Sequence, residues 1–113
     1  MVVVPGNPIP LERHRSGHHS YLPPRSKAYR DLLQIHFVRA MRQHGLSVTD
    51  KPVRLEVEFY RADQRRVDID NMCKAIMDAT DHILDNDTQV FFLHAAKFYD
   101  KKNPRIILKI TEV

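Results

Sequence analysis

The sequence has a single cysteine and no hydrophobic run approaching the ~20 residues needed to cross a bilayer. A lone Cys73 excludes an internal disulfide and fits a reducing compartment. Its place in a helical pattern makes it a small buried apolar residue, not a nucleophile. His14, His18 and His19 have no cysteine pair to join and match no closed four-ligand zinc spacing. Met1-Val2-Val3-Val4 is too short for a signal-peptide core and carries no basic flank, so a cytoplasmic protein that does not enter a membrane is expected. Internal repeats, low-complexity tracts and a composition break are also missing, which leaves residues 1–113 as one domain.

What is present is ordinary in amount and uneven in placement. A hydrophobic fraction of 42% and a charged fraction of 28% describe a globular chain able to bury a core. The net charge of +4 permits a polyanionic partner without demanding one, so the position of the charge decides.

Val2, Val3 and Val4, closed by Pro5 and Gly6, predict a short strand. Proline recurs through residues 6–24 and predicts a long irregular segment, which in a small domain is usually functional or disordered. Ser26 is the expected N-cap of an amphipathic helix. On it Tyr29, Leu32, Leu33, Phe37, Ala40 and Met41 recur at helical spacing, with His36 on the same stripe, and Gly45 ends it. Val53, Leu55, Val57 and Phe59 alternate with Arg54, Glu56, Glu58 and Tyr60, the period of a half-buried strand. A second helix is expected over residues 69–83, with Met72, Ile76, Ala79 and Ile83 on its apolar face. Residues 88–98 read as a well-buried strand that includes His94. Residues 100–104 read as a turn and residues 106–111 as a last strand, the two strands forming an antiparallel hairpin. The order β-α-β-α-β-β predicts an α+β domain, one mixed sheet of about four strands with two helices packed on one face.

The chemistry concentrates in Arg65-Arg66-Val67-Asp68-Ile69-Asp70-Asn71-Met72-Cys73-Lys74 and in Asp85-Asn86-Asp87-Thr88-Gln89-Val90. In an extended chain Asp68 and Asp70 project to one side, where two like charges repel unless a cation lies between them. A hard divalent ion with oxygen ligands meets that need. Mg²⁺ in particular uses only one or two protein carboxylates plus substrate phosphate. Asp68, Asp70 and one further acid would hold one ion, or two with a bridging phosphate. Lys74, one helical turn after Asp70, can steady the carboxylates or stabilise charge on a phosphoryl oxygen. Asn71 adds a neutral hydrogen-bonding group where free backbone N–H groups favour anions. The competing explanation is local: aspartates at a helix start cap it and complement its dipole, and Asp70 with Lys74 makes an ordinary i,i+4 pair. An EF-hand is excluded, because Asp68 is followed by neither the glycine nor the closing glutamate that such a loop needs.

The run Asp68-Ile69-Asp70-Asn71 with Lys74, Ala75, Asp78 and Ala79, followed by Asp87-Thr88-Gln89-Val90, resembles the motif of the RusA-type Holliday junction resolvases. Gly6, Pro8, Pro10, Arg13 and Arg15 resemble that family's opening segment, and the element order agrees. The resemblance implies a Mg²⁺-dependent endonuclease, with Mn²⁺ able to substitute. Such an enzyme acts as a homodimer and resolves four-way DNA junctions in recombination and repair by paired phosphodiester hydrolysis. It further implies that Asp68, Asp70 and Asp87 are the metal ligands and that Lys74 is the catalytic lysine. The family usually has adjacent acids before Gln-Val, whereas here Asn86 precedes Asp87, so Asp85 is the second candidate for the third ligand. The alternative function on the same scaffold is a catalytically inactive protein that binds branched nucleic acid.

Arg65 and Arg66 lead into Asp68, and Arg13 and Arg15 lie in the proline-rich segment. Together with Asn71 they are the expected DNA contacts, since cations beside metal-binding acids make sense when both meet a phosphate backbone. Phe91, Phe92 and Leu93 are consecutive, so one side of their strand can pack under the helices while the other needs cover. A homodimer interface is the expected cover.

Overall fold

The computed structural model describes residues 1–10, 14–16, 19–21, 24–45 and 48–113, and for residues 14–16, 19–21, 82 and 87 the backbone alone. Strand β1 (Val2–Pro5) is followed by two short strands, β2 (His14–Ser16) and β3 (His19–Tyr21), and by helix α1 (Pro24–Gln43). Then come β4 (Val53–Arg61), helix α2 (Ile69–Asp78), β5 (Val90–Tyr99) and β6 (Arg105–Glu112). β2 and β3 pair only with each other, and the remaining elements run β-α-β-α-β-β.

The main sheet has the order β1-β6-β4-β5. β4 is central: its inward residues Val53, Leu55, Val57 and Phe59 are fully buried and alternate with outward ones, as period-2 patterning requires. β5 lies parallel to β4, joined through α2 as a crossover, whereas β6 is antiparallel to both β4 and β1. One apolar cluster joins Leu33 and Phe37 of α1 and Met72, Cys73 and Ile76 of α2 to the β4 row, Val4, Ile106 and Leu108. Both helices therefore cover one face of a mixed sheet. Cys73 is buried and free, as its position in the pattern predicted.

Several expectations need correction. The last two strands do not form a hairpin, because β4 lies between β5 and β6. A short turn normally signals adjacent pairing, but here residues 100–104 step over the end of β4, where Asp100 N–H donates to the Arg61 carbonyl at 2.8 Å. Arg105 secures the crossing through Asp100 at 2.9 Å, and that ion pair holds the Asp100 carboxyl below its ordinary value. β5 is not well buried either. It is an edge strand paired on one side alone, so Phe91, Phe92 and Leu93 stay 66, 49 and 50% exposed and His94 faces outward. Ser26 is not the N-cap of α1. The helix starts at Pro24, whose fixed φ suits a first helical turn, and Ser26 is buried inside it. Leu32 lies off the buried stripe, 41% exposed, because Leu33 and Phe37 alone of the six reach the core fully. Gly45 does end the helix in a left-handed conformation, at φ +65°. The second helix breaks at Asp78 into a 3-10 turn at Thr80–His82, and a further 3-10 turn at Asp87–Gln89 precedes β5.

Candidate active site

The start of α2 is set by what holds the chain between Arg61 and Asp68. The Arg61 guanidinium, buried at the end of β4, donates to the Pro8 carbonyl and, at 3.2 Å, to Asp63. The Ala62 N–H donates to the Asn7 side chain at 2.8 Å, and the Arg65 N–H donates to Asp63 at 3.1 Å. The opening Gly6-Asn7-Pro8 segment is thus a clamp on the loop that delivers Asp68. Tyr29 of α1 closes the same corner beside Ile9 and Arg61, and burial pushes its hydroxyl from 10.0 up to about 12.

Asp68 occupies the N-cap position of α2, in extended backbone with φ −71° and ψ 131°, but its side chain makes no capping hydrogen bond. Among the described residues the Asp70 Oδ1 accepts the neighbouring Asn71 N–H, at 3.0 Å. Among the described ion pairs none joins Asp70 to Lys74. Of the local explanation, the side-chain cap and the i,i+4 salt bridge are not formed among the described residues, while Asp68 at the N-cap position and Asp70 in the first turn still complement the helix dipole. Asp68, Asp70 and Lys74 are exposed on one helical start, while Met72 and Cys73 turn into the core. Burial, and second the nearby Asp70 charge, push the Cys73 thiol up, which keeps it protonated and unreactive. Oxygen donors with two negative charges suit a hard divalent ion. Among the described residues no three His, Cys, Asp or Glu side chains gather to hold one.

The third acid lies elsewhere in the chain. The Lys97 ammonium donates to the Val67 carbonyl at 2.9 Å, so the start of α2 stands beside Lys97, near the end of β5. From there α2 runs back against the strand direction, to a bridge between Leu84 and Thr49 ahead of β4. Asp87 immediately precedes the start of β5 at Val90. The strand from Val90 to Lys97 covers about 23 Å at ~3.3 Å per residue. Within one chain the backbone thus sets Asp87 at the opposite end of β5 from Asp68 and Asp70.

The residues around Asp87 are held by Gln89, which is buried. Its amide nitrogen donates to the carbonyls of Thr49 at 2.8 Å and Lys51 at 2.9 Å, and its oxygen accepts the Asn86 N–H at 2.6 Å. Asn86 in turn accepts the Thr88 N–H at 2.9 Å, so it caps the turn carrying Asp87. Asp85 is exposed, its N–H bound to the Thr49 carbonyl at 3.3 Å. Of the expected DNA contacts, Arg65 and Arg66 are exposed just before Asp68 and Asn71 is half-buried. Arg13 lies outside the described residues, as does the Arg15 side chain. The periodicities gave no warning of Arg61, Lys97 and the Gln89 anchor. One signal did exist for Lys97: it is a cation in the row Leu93, Ala95, Lys97, Tyr99 that shares the helix side of the sheet.

Residues 5–111 match the family model described as endodeoxyribonuclease RusA. The crossover junction endodeoxyribonucleases RusA of Shigella sonnei (strain Ss046) and Escherichia coli (strain K12) are each 35% identical over 104 residues, covering 89% of this chain and 82% of theirs. A relative of the same name from Enterobacteria phage 82 is 34% identical over the same span. The segment that clamps the loop, the acidic start of α2 and the Gln89 anchor all fall inside the matched region, and this chain belongs to the RusA family of endodeoxyribonucleases.

Proposed function

We propose that the protein is a Mg²⁺-dependent endonuclease that resolves four-way DNA junctions during recombination and repair, with Mn²⁺ able to replace Mg²⁺. The observation that carries this is the acidic pair itself: Asp68 and Asp70 stand exposed at the start of α2, beside Lys74, with no side-chain cap or ion pair among the described residues using them. Family membership supports the same reading, and its relatives carry the name crossover junction endodeoxyribonuclease.

Asp68 and Asp70, with Asp87 as third ligand, would hold the ion, which when bound activates water and neutralises charge on the scissile phosphate. Lys74, one turn beyond Asp70, contacts a phosphoryl oxygen and balances negative charge there. Arg65, Arg66 and Asn71, with Arg13 and Arg15, grip the phosphate backbone, giving affinity that falls as salt rises. Recognition through the backbone suits a substrate chosen by its branched shape rather than its bases.

The placement of Asp87 gives the homodimer a chemical task. The exposed β5 edge, with Phe91, Phe92 and Leu93, supports pairing with a second copy. Two β5 strands joined antiparallel about a two-fold axis near His94 run in opposite directions. The start of one then meets the end of the other, which brings the partner subunit's Asp87 to Asp68 and Asp70. Such a dimer has two composite sites, as two symmetric cuts require.

The test is a synthetic four-way junction incubated with and without Mg²⁺. The wild type is expected to cleave only with the ion. Asp70→Asn is expected to abolish cleavage yet bind the junction at least as tightly, because a repulsive charge toward phosphate is gone. Binding without cleavage by the wild type would establish the inactive-scaffold alternative, and full Mg²⁺-dependent cleavage by Asp70→Asn would remove Asp70 from the site.

A further inference from the structure

We infer that Lys97 is a positioning residue of the nuclease site, a role that rests on the reading above. Lys97 pairs with Phe59 across β4 and β5, and Phe59 is fully buried, so Lys97 belongs to the helix side of the sheet, where the other strands place apolar residues. Lys97 itself is exposed beyond the covered part of that row, which leaves its ammonium free to reach the chain entering α2. Its ammonium donates to the Val67 carbonyl at 2.9 Å, and the next residue is Asp68.

That bond crosses from β5 to the loop between β4 and α2, thirty residues away in sequence. On the β4 side the loop is held by Asn7 and by Arg61 with Asp63. At its α2 end the side-chain anchor among the described residues is Lys97. Fixing the Val67 carbonyl fixes the peptide that carries the Asp68 N–H, and with it the extended backbone from which Asp68 and Asp70 project. The bond thus acts on the backbone that carries the two carboxylates, through the Val67 carbonyl. Because β5 is the exposed edge, the same lysine ties that edge to the metal-binding acids.

The test compares wild type, Lys97→Met and Lys97→Arg. Lys97→Met keeps the unbranched apolar stem of the side chain, one atom shorter, without its charge or donors. It is expected to raise the Mn²⁺ concentration needed for half-saturation, measured by calorimetry without DNA, by about tenfold, the usual cost of removing a group that orients a ligand. It is also expected to speed amide hydrogen exchange over residues 67–72, while junction binding without metal and thermal stability stay near wild type. Lys97→Arg restores most of the ion affinity. Unchanged Mn²⁺ affinity and unchanged exchange in Lys97→Met would overturn the role of Lys97, whatever the cleavage result. Lack of Mg²⁺-dependent cleavage by the wild type would instead overturn the nuclease reading on which this rests.

Discussion

Gln89 shows how a motif residue can do structural rather than chemical work. Its three hydrogen bonds tie the turn carrying Asp87 to the segment ahead of β4, and nothing polar in the buried side chain is left over. Gln89→Ala leaves two carbonyls and one N–H without their partner. It is expected to lower the unfolding free energy by about 1–3 kcal/mol, read as a lower urea midpoint. A midpoint within error of wild type would remove the anchoring role. Tyr29 makes a prediction about pH. Its hydroxyl titrates near 12 in the folded protein against an ordinary value of 10.0, chiefly through burial. Below pH 10 it is neutral folded or unfolded and the stability is intact. Between pH 10 and 12 the unfolded chain ionises first, so stability falls through that window. Tyr29→Phe should show a shallower loss between pH 9 and 11.5 in urea titrations, and an identical slope would contradict the assignment. At this scale Asp68, Asp70 and Lys74 were legible as candidates from residue type and spacing, and the structure leaves all three exposed at the start of α2. Lys97 and Arg61 were not, because their bonds join positions far apart in sequence.

Among the elements, both helices, the central strand and their order were readable from hydrophobic period, since each buries a regular stripe. Strand neighbours were not. The turn at residues 100–104 suggests a hairpin by its length, yet the crossover through α2 has already placed β5 on one side of β4, and β6 and β1 fill the other. Burial of β5 was misread for a related reason. An apolar edge strand has the composition of a core strand, and only its missing neighbour tells them apart. The Tyr60 ring stacks on Phe98 at 5.0 Å and under the Arg105 guanidinium at 3.9 Å, which locks the three strands on the open face and leaves the outer edge of β5 bare. The double variant Phe91→Glu with Leu93→Glu puts charge on that edge. Wild type is expected to sediment as a dimer at micromolar concentration, and the variant as a folded monomer without cleavage. A monomeric wild type, or a variant that remains dimeric, would contradict pairing through β5.

For the whole molecule, a four-stranded sheet with helices on one face leaves two kinds of surface that matter: an acidic helix start flanked by arginines, and an apolar strand edge. Within one chain Asp87 and the Asp68–Asp70 pair lie at opposite ends of β5, so the proposed three-acid site draws on both surfaces. The sequence motif lists the acids together, but only the parallel register of β4 and β5 reveals that separation. The central claim, a paired metal-dependent junction nuclease, is tested most directly on a four-way junction labelled strand by strand. The enzymes compared in Mg²⁺ are the wild type, Asp70→Asn, Asp87→Asn, and a dimer made by co-expressing the two variants. Two symmetric cuts are expected from the wild type, none from either variant alone, and a single cut from the mixed dimer, which retains one intact composite site. A wild type that makes no Mg²⁺-dependent cut would contradict the account.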